Sequence, residues 1–330
     1  MDRRRDWNSA SRCGVLCAVR AIVVTRSGGP DVLELQDVAP PVPGPGELLV
    51  DVAVAGVNFR DVYERRGGYG VPLPVVTGIE GMGRVAALGE GVSGVAVGDR
   101  VAWSNAQGSY AEQAVVQAAR AVPVPDGIDD EHACAALLQG MTAHYLTHST
   151  YPVQPGDEVL VHAAAGGAGR LTVQMAKARG ARVTATTSGG EKAELARSAG
   201  ADEVIGYDEV PEGRFAVVYD GVGAATFDRS LAALAPRGML VLYGAASGPV
   251  PPFEIMRLNA GSTFLTRPTL VHYVATREDL LQRAGDVYGR VADGSLDVRI
   301  GATYPLEEAR RAQEDLESRG TTGKLLLTLR

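Results

Sequence analysis

The sequence predicts an α/β protein in which a β-rich unit is joined to a doubly wound parallel sheet. The chain has 330 residues, which is longer than a single average domain. Residues 20–125 contain short alternating segments separated by Pro- and Gly-rich turns, a pattern typical of a small β unit. From residue 155 onward, apolar strands alternate with amphipathic helices, which predicts βαβ units and a parallel sheet.

The composition is that of an ordinary globular protein and excludes several classes. Hydrophobic residues make up 45% and charged residues 22% of the chain, and the net charge of −7 gives no basic surface for nucleic acid. Three cysteines, two of them in the first 17 residues, argue against a disulfide framework and for a reducing compartment. No apolar run reaches the length of about 18 residues that a membrane span requires. We therefore expect a cytoplasmic protein that binds neither membranes nor nucleic acid.

The first part of the chain is expected to contain strands at 21–24, 47–52 and 98–102. At Pro125 the pattern changes, because Asp129 and Asp130 can cap a helix and residues 133–146 carry apolar side chains at helical spacing. The second part is expected to contain strands and helices in alternation. The strands are predicted at 157–162, 182–187, 203–206, 215–220 and 239–244, the helices near 169–179, 190–199 and 226–235, a further helix at 277–293 and a last strand at 323–329.

The loop at residues 163–169 combines four alanines with three glycines, directly between a predicted strand and a predicted helix. Small residues allow the sharp turn and let a large anion approach the backbone, while the helix N-terminus offers free N–H groups to a pyrophosphate. The spacing of Ala164, Gly166 and Gly169 matches the G-x-G-x-x-G fingerprint with its first glycine replaced. A tight turn without a ligand stays the alternative, but the alternating units around the loop favour a dinucleotide site.

The end of the second predicted strand indicates which dinucleotide binds. An NAD site usually presents an acidic residue about 20 residues after the glycine motif, where it contacts the ribose 2′-hydroxyl. Here the strand ends in T-T-S without a carboxylate, and Lys192 follows in the first turn of the next helix. A cation in place of the acid suits a 2′-phosphate, so we predict NADPH, with Lys192 and Ser188 as contacts. The alternative is that Lys192 only meets solvent.

The sequence offers no set of metal ligands. His144 and His148 lie one helical turn apart but lack the glutamate of an H-E-x-x-H motif, and Cys134 stands alone. We expect both histidines to be structural and the chemistry to proceed without zinc.

Six segments together resemble the zinc-free quinone oxidoreductases of the medium-chain dehydrogenase/reductase superfamily, in the ζ-crystallin-like branch. The similarity extends from Val19 to Leu329. Zinc-dependent members of the superfamily carry cysteine at the position of Asn58 and histidine at the position of Ile79, so both differences agree with a metal-free site. The segments are G-V-N-F-R-D-V-Y (56–63), G-D-R-V (98–101), Q-G-M-T-A (139–143), H-A-A-A-G-G-A-G (162–169), Y-D-G-V-G (219–223) and T-R-P (266–268).

The resemblance implies a GroES-like β-rich catalytic domain at 19–140 and 268–330, a Rossmann NADPH-binding domain at 141–267, and a homodimer. Residues 1–18 have no counterpart in the family, and we expect them to be disordered or to precede a translation start at Val19. Asn58, Tyr63 and Tyr69 match positions at the catalytic end of the cleft. The implied cofactor-binding residues are Phe59, Thr142, Ala165, Gly166, Gly167, Ala168, Gly169, Ser188, Lys192, Tyr207, Val222, Gly244, Ala245, Ser247, Thr266, Arg267, Arg319 and Lys324.

Metal-free hydride transfer needs a bound nicotinamide, a planar electron-poor acceptor, and donors for the oxygen that gains charge. A quinone is electrophilic enough to react without zinc, and Asn58, Tyr63 and Tyr69 are polar groups in the right segment to orient it. Alternatively, Asn58 satisfies a turn and the tyrosines pack in the core. Two other functions stay open: NADPH-dependent reduction of the C=C bond of an enone or 2-alkenal, and non-catalytic NADPH binding by a protein that acts through a partner.

Overall fold

The structure, a computed structural model, describes residues 18–329 and confirms an α/β architecture built on three sheets. Residues 1–17, which hold most of the predicted N-terminal extension, and Arg330 lie outside the described residues. The described strands, numbered in chain order, are β1 (Val19–Val24), β2 (Leu33–Val38), β3 (Glu47–Val57), β4 (Val75–Val76), β5 (Glu80–Leu88), β6 (Arg100–Ser104), β7 (Gln113–Gln117), β8 (Val122–Pro123), β9 (Glu158–Val161), β10 (Arg182–Thr186), β11 (Glu203–Ile205), β12 (Phe215–Asp220), β13 (Leu234–Leu242), β14 (Phe264–Thr266), β15 (Ile300–Pro305) and β16 (Lys324–Thr328).

Eight α-helices connect these strands within the described residues. No helix in residues 18–329 is long and apolar enough to cross a membrane. The helices are α1 (Phe59–Arg65), α2 (Asp130–Tyr145), α3 (Gly167–Ala178), α4 (Glu191–Ser198), α5 (Phe227–Ala232), α6 (Leu270–Tyr273), α7 (Arg277–Ala292) and α8 (Ala309–Ser318).

The six-stranded sheet has the order β11-β10-β9-β12-β13-β14, and every pair in it is parallel. This order reverses direction between β9 and β12, which is the doubly wound arrangement of dinucleotide-binding folds. The predicted strands and helices of this part are present, with two differences. β13 begins at Leu234 rather than at residue 239, because its first residues include Pro236 and the positive-φ Arg237, which hide the strand pattern. The short β14 was not predicted, since three residues give too little alternation.

The seven-stranded sheet follows the path β15-β16-β3-β5-β6-β8, with β7 paired to β3, and β1, β2 and β4 form a separate sheet. The C-terminal strands β15 and β16 therefore return to the first part of the chain, as β16 pairs antiparallel with β3. The all-β prediction for residues 20–125 was incomplete, because helix α1 interrupts the strands. Asn58 begins this helix, and its backbone N–H donates to the Asp61 carboxylate at 2.9 Å.

Helix α2 joins the two large sheets. It packs against β3, β5 and β6 on one side and against α3 and α7 on the other. Gly140 lies at its contact with α7, where a Cβ atom would lie 2.6 Å from Cγ1 of Val287. Val287 is fully buried and β-branched, so its side chain cannot change rotamer without a cost in free energy. The position of α2 between the sheets thus depends on a residue without a side chain.

Replacing Gly140 by Ala should therefore destabilise the protein. Overpacking costs about 1–3 kcal/mol and helix propensity returns about 1 kcal/mol, so we expect a net loss of about 1 kcal/mol in the free energy of unfolding. Gly285→Ala in α7 is the matched control, because Gly285 is exposed with no atom within 4 Å of the added Cβ. That control should stabilise the protein slightly. Chemical denaturation of both variants measures the difference, and an equal gain for both would contradict the close helix contact.

Candidate active site

The structure brings most of the residues predicted to bind the cofactor to one edge of the six-stranded sheet. Because all its strands are parallel, their carboxyl ends lie at the same edge, which is where ligands bind in open α/β sheets. The predicted residues follow successive strands: Ala165, Gly166, Gly167, Ala168 and Gly169 follow β9, Ser188 follows β10, Tyr207 follows β11, Val222 follows β12, Gly244, Ala245 and Ser247 follow β13, and Thr266 and Arg267 end β14 or follow it.

The glycine loop after β9 is closely packed. A Cβ on Gly169 would lie 2.4 Å from the Ala163 carbonyl oxygen, so only glycine lets α3 start this close to the strand. Ala163 itself adopts a φ of 52°, which turns the chain sharply. Gly166 precedes the first residue of α3, so the free N–H groups of the helix N-terminus follow it directly. The loop therefore has the backbone geometry that a pyrophosphate requires.

Two contacts join this loop region to the other part of the molecule. The Gly323 N–H donates to the Ala165 carbonyl at 3.0 Å, which places the start of β16 against the glycine loop. Across the cleft, the Ala245 N–H donates to the hydroxyl of Tyr63 in α1 at 3.1 Å. The predicted residue Thr142 lies in α2, where its hydroxyl donates to the Leu138 carbonyl. The segments after β9 and β13 thus face residues from the first and the last parts of the chain.

The aromatic residues of the first segment form one cluster at the cleft. The Tyr63 ring lies 6.1 Å from Phe59 and 6.4 Å from Tyr69, measured between ring centroids. Tyr69 is 47% exposed, and the Arg60 guanidinium lies 3.6 Å from the centre of its ring. Burial raises the pKa of Tyr63 above its usual value, so its phenol keeps its proton at neutral pH. This cluster presents a flat, partly exposed aromatic surface with a neutral hydroxyl.

Asn58 belongs to a buried polar cluster with Glu80 and Lys324. Its Nδ2 donates to Glu80 Oε2 at 3.0 Å, and Lys324 Nζ donates to Asn58 Oδ1 at 2.7 Å and to Glu80 Oε2 at 2.5 Å. The Leu138 N–H of α2 donates to the other Glu80 oxygen at 2.9 Å. Lys324 was expected to approach the cofactor, but it is 1% exposed and its ammonium is committed inside the protein. The structure assigns it to this cluster instead.

Four predicted residues lie together at the outer end of the cleft, beside β10 and β11. Lys192 Nζ donates to the Arg319 carbonyl at 2.5 Å, and Arg319, with a φ of 59°, ends helix α8. Ser188 and Arg319 are exposed, whereas Tyr207 is half-buried and stacks on His162. Two cationic side chains thus meet here, and two hydroxyls follow the neighbouring strands β10 and β11. An anion is the ligand that this set of donors suits.

The sequence analysis missed three buried residues that organise the site: Glu80, His162 and Asp220. Asp220 Oδ1 accepts hydrogen bonds from the N–H groups of Val222 at 2.8 Å and Gly223 at 3.0 Å, which shapes the loop after β12. An acid or a histidine next to an apolar segment was a visible signal in each case. The partners of these residues, which lie far away in the sequence, were not visible.

No group of three or more His, Cys, Asp or Glu side chains within residues 18–329 is arranged to hold a metal ion. His144 and His148 stack on each other at 4.1 Å, and the Nδ1 atom of His144 lies 2.9 Å from the Arg283 guanidinium. Cys134 is buried, with its Sγ 3.8 Å from the Val54 carbonyl.

Comparison with known proteins places this cleft in a family. Residues 44–126 match the alcohol dehydrogenase GroES-like domain, and residues 167–287 match the family described as zinc-binding dehydrogenase. A quinone oxidoreductase of Pseudomonas aeruginosa is 43% identical, with 91% of this chain and 96% of that protein covered. A 2-haloacrylate reductase of a Burkholderia species is 38% identical, with 94% of this chain and 98% of that protein covered.

The fold comparison agrees with the sequence comparison. The structure of the Escherichia coli quinone oxidoreductase complexed with NADPH has a TM-score of 0.91 to this chain at 38% identity, covering 94% of this chain and all of that one. The similarity therefore includes both large sheets and the cleft between them. The chain belongs to the quinone oxidoreductases of the medium-chain dehydrogenase/reductase superfamily.

Proposed function

We propose that this protein is an NADPH-dependent quinone oxidoreductase that transfers a hydride without a metal. The proposal is based on the arrangement of the cleft. Residues suited to binding an anion lie at one end, the glycine loop lies in the middle, and the aromatic cluster with its neutral phenol lies at the other end. The named activity of the P. aeruginosa and E. coli relatives supports it. NADPH, when bound, supplies the hydride.

The cofactor end of the cleft fits a phosphorylated dinucleotide. The N–H groups at the start of α3 hold the pyrophosphate, where Gly169 permits the close approach of the backbone. Lys192, Tyr207 and Ser188 contact the 2′-phosphate, and Arg319 contributes its positive charge from the end of α8. The tight contact of Gly323 with Ala165 keeps the C-terminal segment next to the loop. Phe59, Thr142, Val222, Gly244, Ser247, Thr266 and Arg267 line the remainder of the cofactor path.

The acceptor end orients the quinone and protonates it. The Tyr63 oxygen already accepts the Ala245 N–H, so the phenol proton remains available for the quinone oxygen that gains charge. Tyr69, with Arg60 over its ring, offers a face on which a planar acceptor stacks. Asn58 acts through its place in the buried cluster, where it fixes the start of α1 and thereby the position of Tyr63. The hydride and this one proton complete the hydroquinone, and water then returns a proton to Tyr63.

The metal-free part of the proposal is supported by the ligand positions of the superfamily. Asn58 and Ile79 stand where zinc-dependent members carry cysteine and histidine, and the Asn58 side chain is engaged by Glu80 and Lys324. A quinone does not require a Lewis acid, because reduction makes it aromatic. For simple alcohols and aldehydes, which gain no aromaticity on reaction, a metal ion is a common way to stabilise the charge on oxygen, so the proposal favours quinones over them.

A second candidate activity is the reduction of activated C=C bonds in enones or 2-alkenals. The 2-haloacrylate reductase relative favours it, because that protein is named for reduction at such a bond. The same cleft serves both reactions, since each acceptor is planar, electron-poor and conjugated to an oxygen. Rates with a benzoquinone, an enone and a 2-haloacrylate separate the two.

We also propose a cytoplasmic homodimer with a GroES-like domain at 19–140 and 268–330 and a Rossmann domain at 141–267. The edge strand β14 supports the dimer, because Phe264 on this strand and Ile255 and Met256 nearby are exposed apolar side chains at 55%, 71% and 60%. Light scattering should give the mass of two chains, and a one-chain mass at micromolar concentration would contradict the dimer.

We expect the purified enzyme to oxidise NADPH with 1,4-benzoquinone at an unchanged rate after chelator treatment and dialysis. It should not turn over ethanol or a plain aldehyde, because no metal ion polarises an isolated carbonyl. Elemental analysis checks for bound zinc in the same preparation. One zinc per chain, with activity lost on its removal, would contradict the proposal, as would a preference for ethanol. Absence of NADPH turnover with every acceptor would favour a non-catalytic binding protein.

Lys192→Ala should weaken NADPH binding roughly 10- to 100-fold, because a hydrogen bond to a charged group contributes about 1.5–3 kcal/mol. NADH lacks the 2′-phosphate, so its dissociation constant should change little. Lys192→Ala combined with Ser188→Asp should shift the preference towards NADH. Titration of both nucleotides measures these constants.

Lys177→Ala is the matched control for this test. Lys177 lies in α3 and its ammonium is paired with Asp202 at 2.8 Å, away from the proposed phosphate contacts. Its removal should leave the ratio of the two dissociation constants unchanged. A wild-type protein that prefers NADH, or a Lys192 variant weakened equally for both nucleotides, would contradict the assignment of the 2′-phosphate site.

A further inference from the structure

A side-chain amide from helix α2 lies directly against the start of helix α3. Gly167 is the first residue of α3, and a Cβ atom added to it would lie 2.6 Å from Cδ and 2.7 Å from Nε2 of Gln139, with Oε1 closer still. The amide group of Gln139 therefore fills the space that a side chain at residue 167 would occupy. It borders the part of the glycine loop where the free N–H groups of α3 begin.

The backbone alone does not explain why residue 167 is a glycine. Gly167 is part of α3 and has a helical conformation that any residue can adopt. It also stands at a variable position of the G-x-G-x-x-G fingerprint, between Gly166 and Gly169. The close approach of Gln139 supplies the reason, because a larger residue would displace its amide.

Within the part of the chain that the structure describes, the half-buried Gln139 amide makes no hydrogen bond. Its neighbours on α2 are firmly held, since the Leu138 N–H donates to Glu80 at 2.9 Å and the Thr142 hydroxyl donates to the Leu138 carbonyl at 2.7 Å. The helix thus presents the amide to the glycine loop from a fixed position. Its two N–H donors are free to bind a ligand there.

We propose that Gln139 is a further cofactor-binding residue, whose amide N–H groups donate to the pyrophosphate of the dinucleotide. Phosphate oxygens only accept hydrogen bonds, and the start of α3 already offers them backbone donors. The last side-chain torsion of glutamine is broad, so the amide can turn its donors towards an anion without moving α2. The inference rests on the proposed dinucleotide site and extends it to a second helix.

Binding of two cofactor fragments tests this contact. ADP carries two linked phosphates, whereas adenosine 2′-monophosphate lacks them and carries only the phosphate expected at Lys192. Gln139→Met keeps the length of the side chain and removes both donors. It should raise the dissociation constant of ADP about 10-fold and change that of adenosine 2′-monophosphate less than about twofold. Lys192→Ala should have the opposite pattern. Isothermal titration calorimetry measures all four constants.

Two single variants sharpen the comparison. Gln139→Glu keeps the shape of the side chain but places a carboxylate beside the phosphates, so it should weaken ADP more than Gln139→Met does. Gln174→Met is the matched control, because the Gln174 amide lies on α3 and is bonded to the backbone of Asp297 at 2.9 and 2.8 Å. The control should leave both dissociation constants unchanged.

A double-mutant cycle tests the same contact from the side of the loop. Gly167→Ala adds a methyl group that displaces the Gln139 amide, so it should weaken ADP binding in the wild-type background. In the Gln139→Ala background the space is empty, and the same substitution should cost less. A methyl group that only obstructs the ligand would instead have the same effect in both backgrounds, which would contradict the proposed contact.

Unchanged ADP binding in both Gln139→Met and Gln139→Glu would overturn the inference. Equal losses for the two fragments would overturn it as well, because they would indicate a purely structural role for Gln139. A wild-type protein that prefers NADH to NADPH would refute the proposed cofactor instead. The ADP measurement would still decide the role of Gln139, so the two failures are distinguishable.

Discussion

A buried ion pair between Lys324 and Glu80 holds together the segments that form the cleft. Both side chains are at most 1% exposed, and their charged atoms lie 2.5 Å apart. Burying two such charges costs several kcal/mol each, so the pair is tolerated only because Asn58 and the Leu138 N–H satisfy the remaining hydrogen bonds. Removing one partner would leave the other charged and unpaired in the interior.

This ion pair fixes the relative positions of the segments on the two sides of the cleft. Lys324 begins β16, and the preceding residue Gly323 contacts Ala165 of the glycine loop. Glu80 begins β5 and contacts α2, while Asn58 begins α1, the helix that carries Tyr63. The distance between the loop that suits a pyrophosphate and the phenol at the other end therefore depends on one interior cluster. In the proposed mechanism, the protein aligns the cofactor and the acceptor by holding their binding residues in fixed positions, without using a metal ion.

The sequence predicted the parts of the molecule that local patterns determine. Short stretches of sequence are enough to recognise the alternating strands and helices after residue 155, the glycine loop and the missing acid after β10. The structure confirms the α/β fold. The clustering of predicted residues at one sheet edge followed from parallel strands alone. β14 and the start of β13 were missed because a very short strand and a Pro-Arg irregularity give no clear period.

The long-range polar contacts could not be predicted in this way. Lys324 pairs with a glutamate 244 positions away in the sequence. The burial of Lys324 could not be predicted, because the C-terminal segment has the pattern of an ordinary strand. His162 was visible only as part of the loop motif, since its partners Thr186 and Ser230 come from two other elements. Such contacts depend on how the sheets and helices are assembled, which a single sequence does not state.

The most direct test of the account is the kinetics of hydride transfer in metal-free enzyme. NADPH carrying deuterium in one of the two positions at C4 is mixed with chelator-treated protein and a benzoquinone, and the oxidation is followed in a single turnover. The account predicts rapid oxidation, slowed by a primary isotope effect for only one of the two labelled forms, because the cleft presents one face of the nicotinamide to the acceptor. Oxidation that requires added zinc, or that shows no isotope effect with either form, would contradict it.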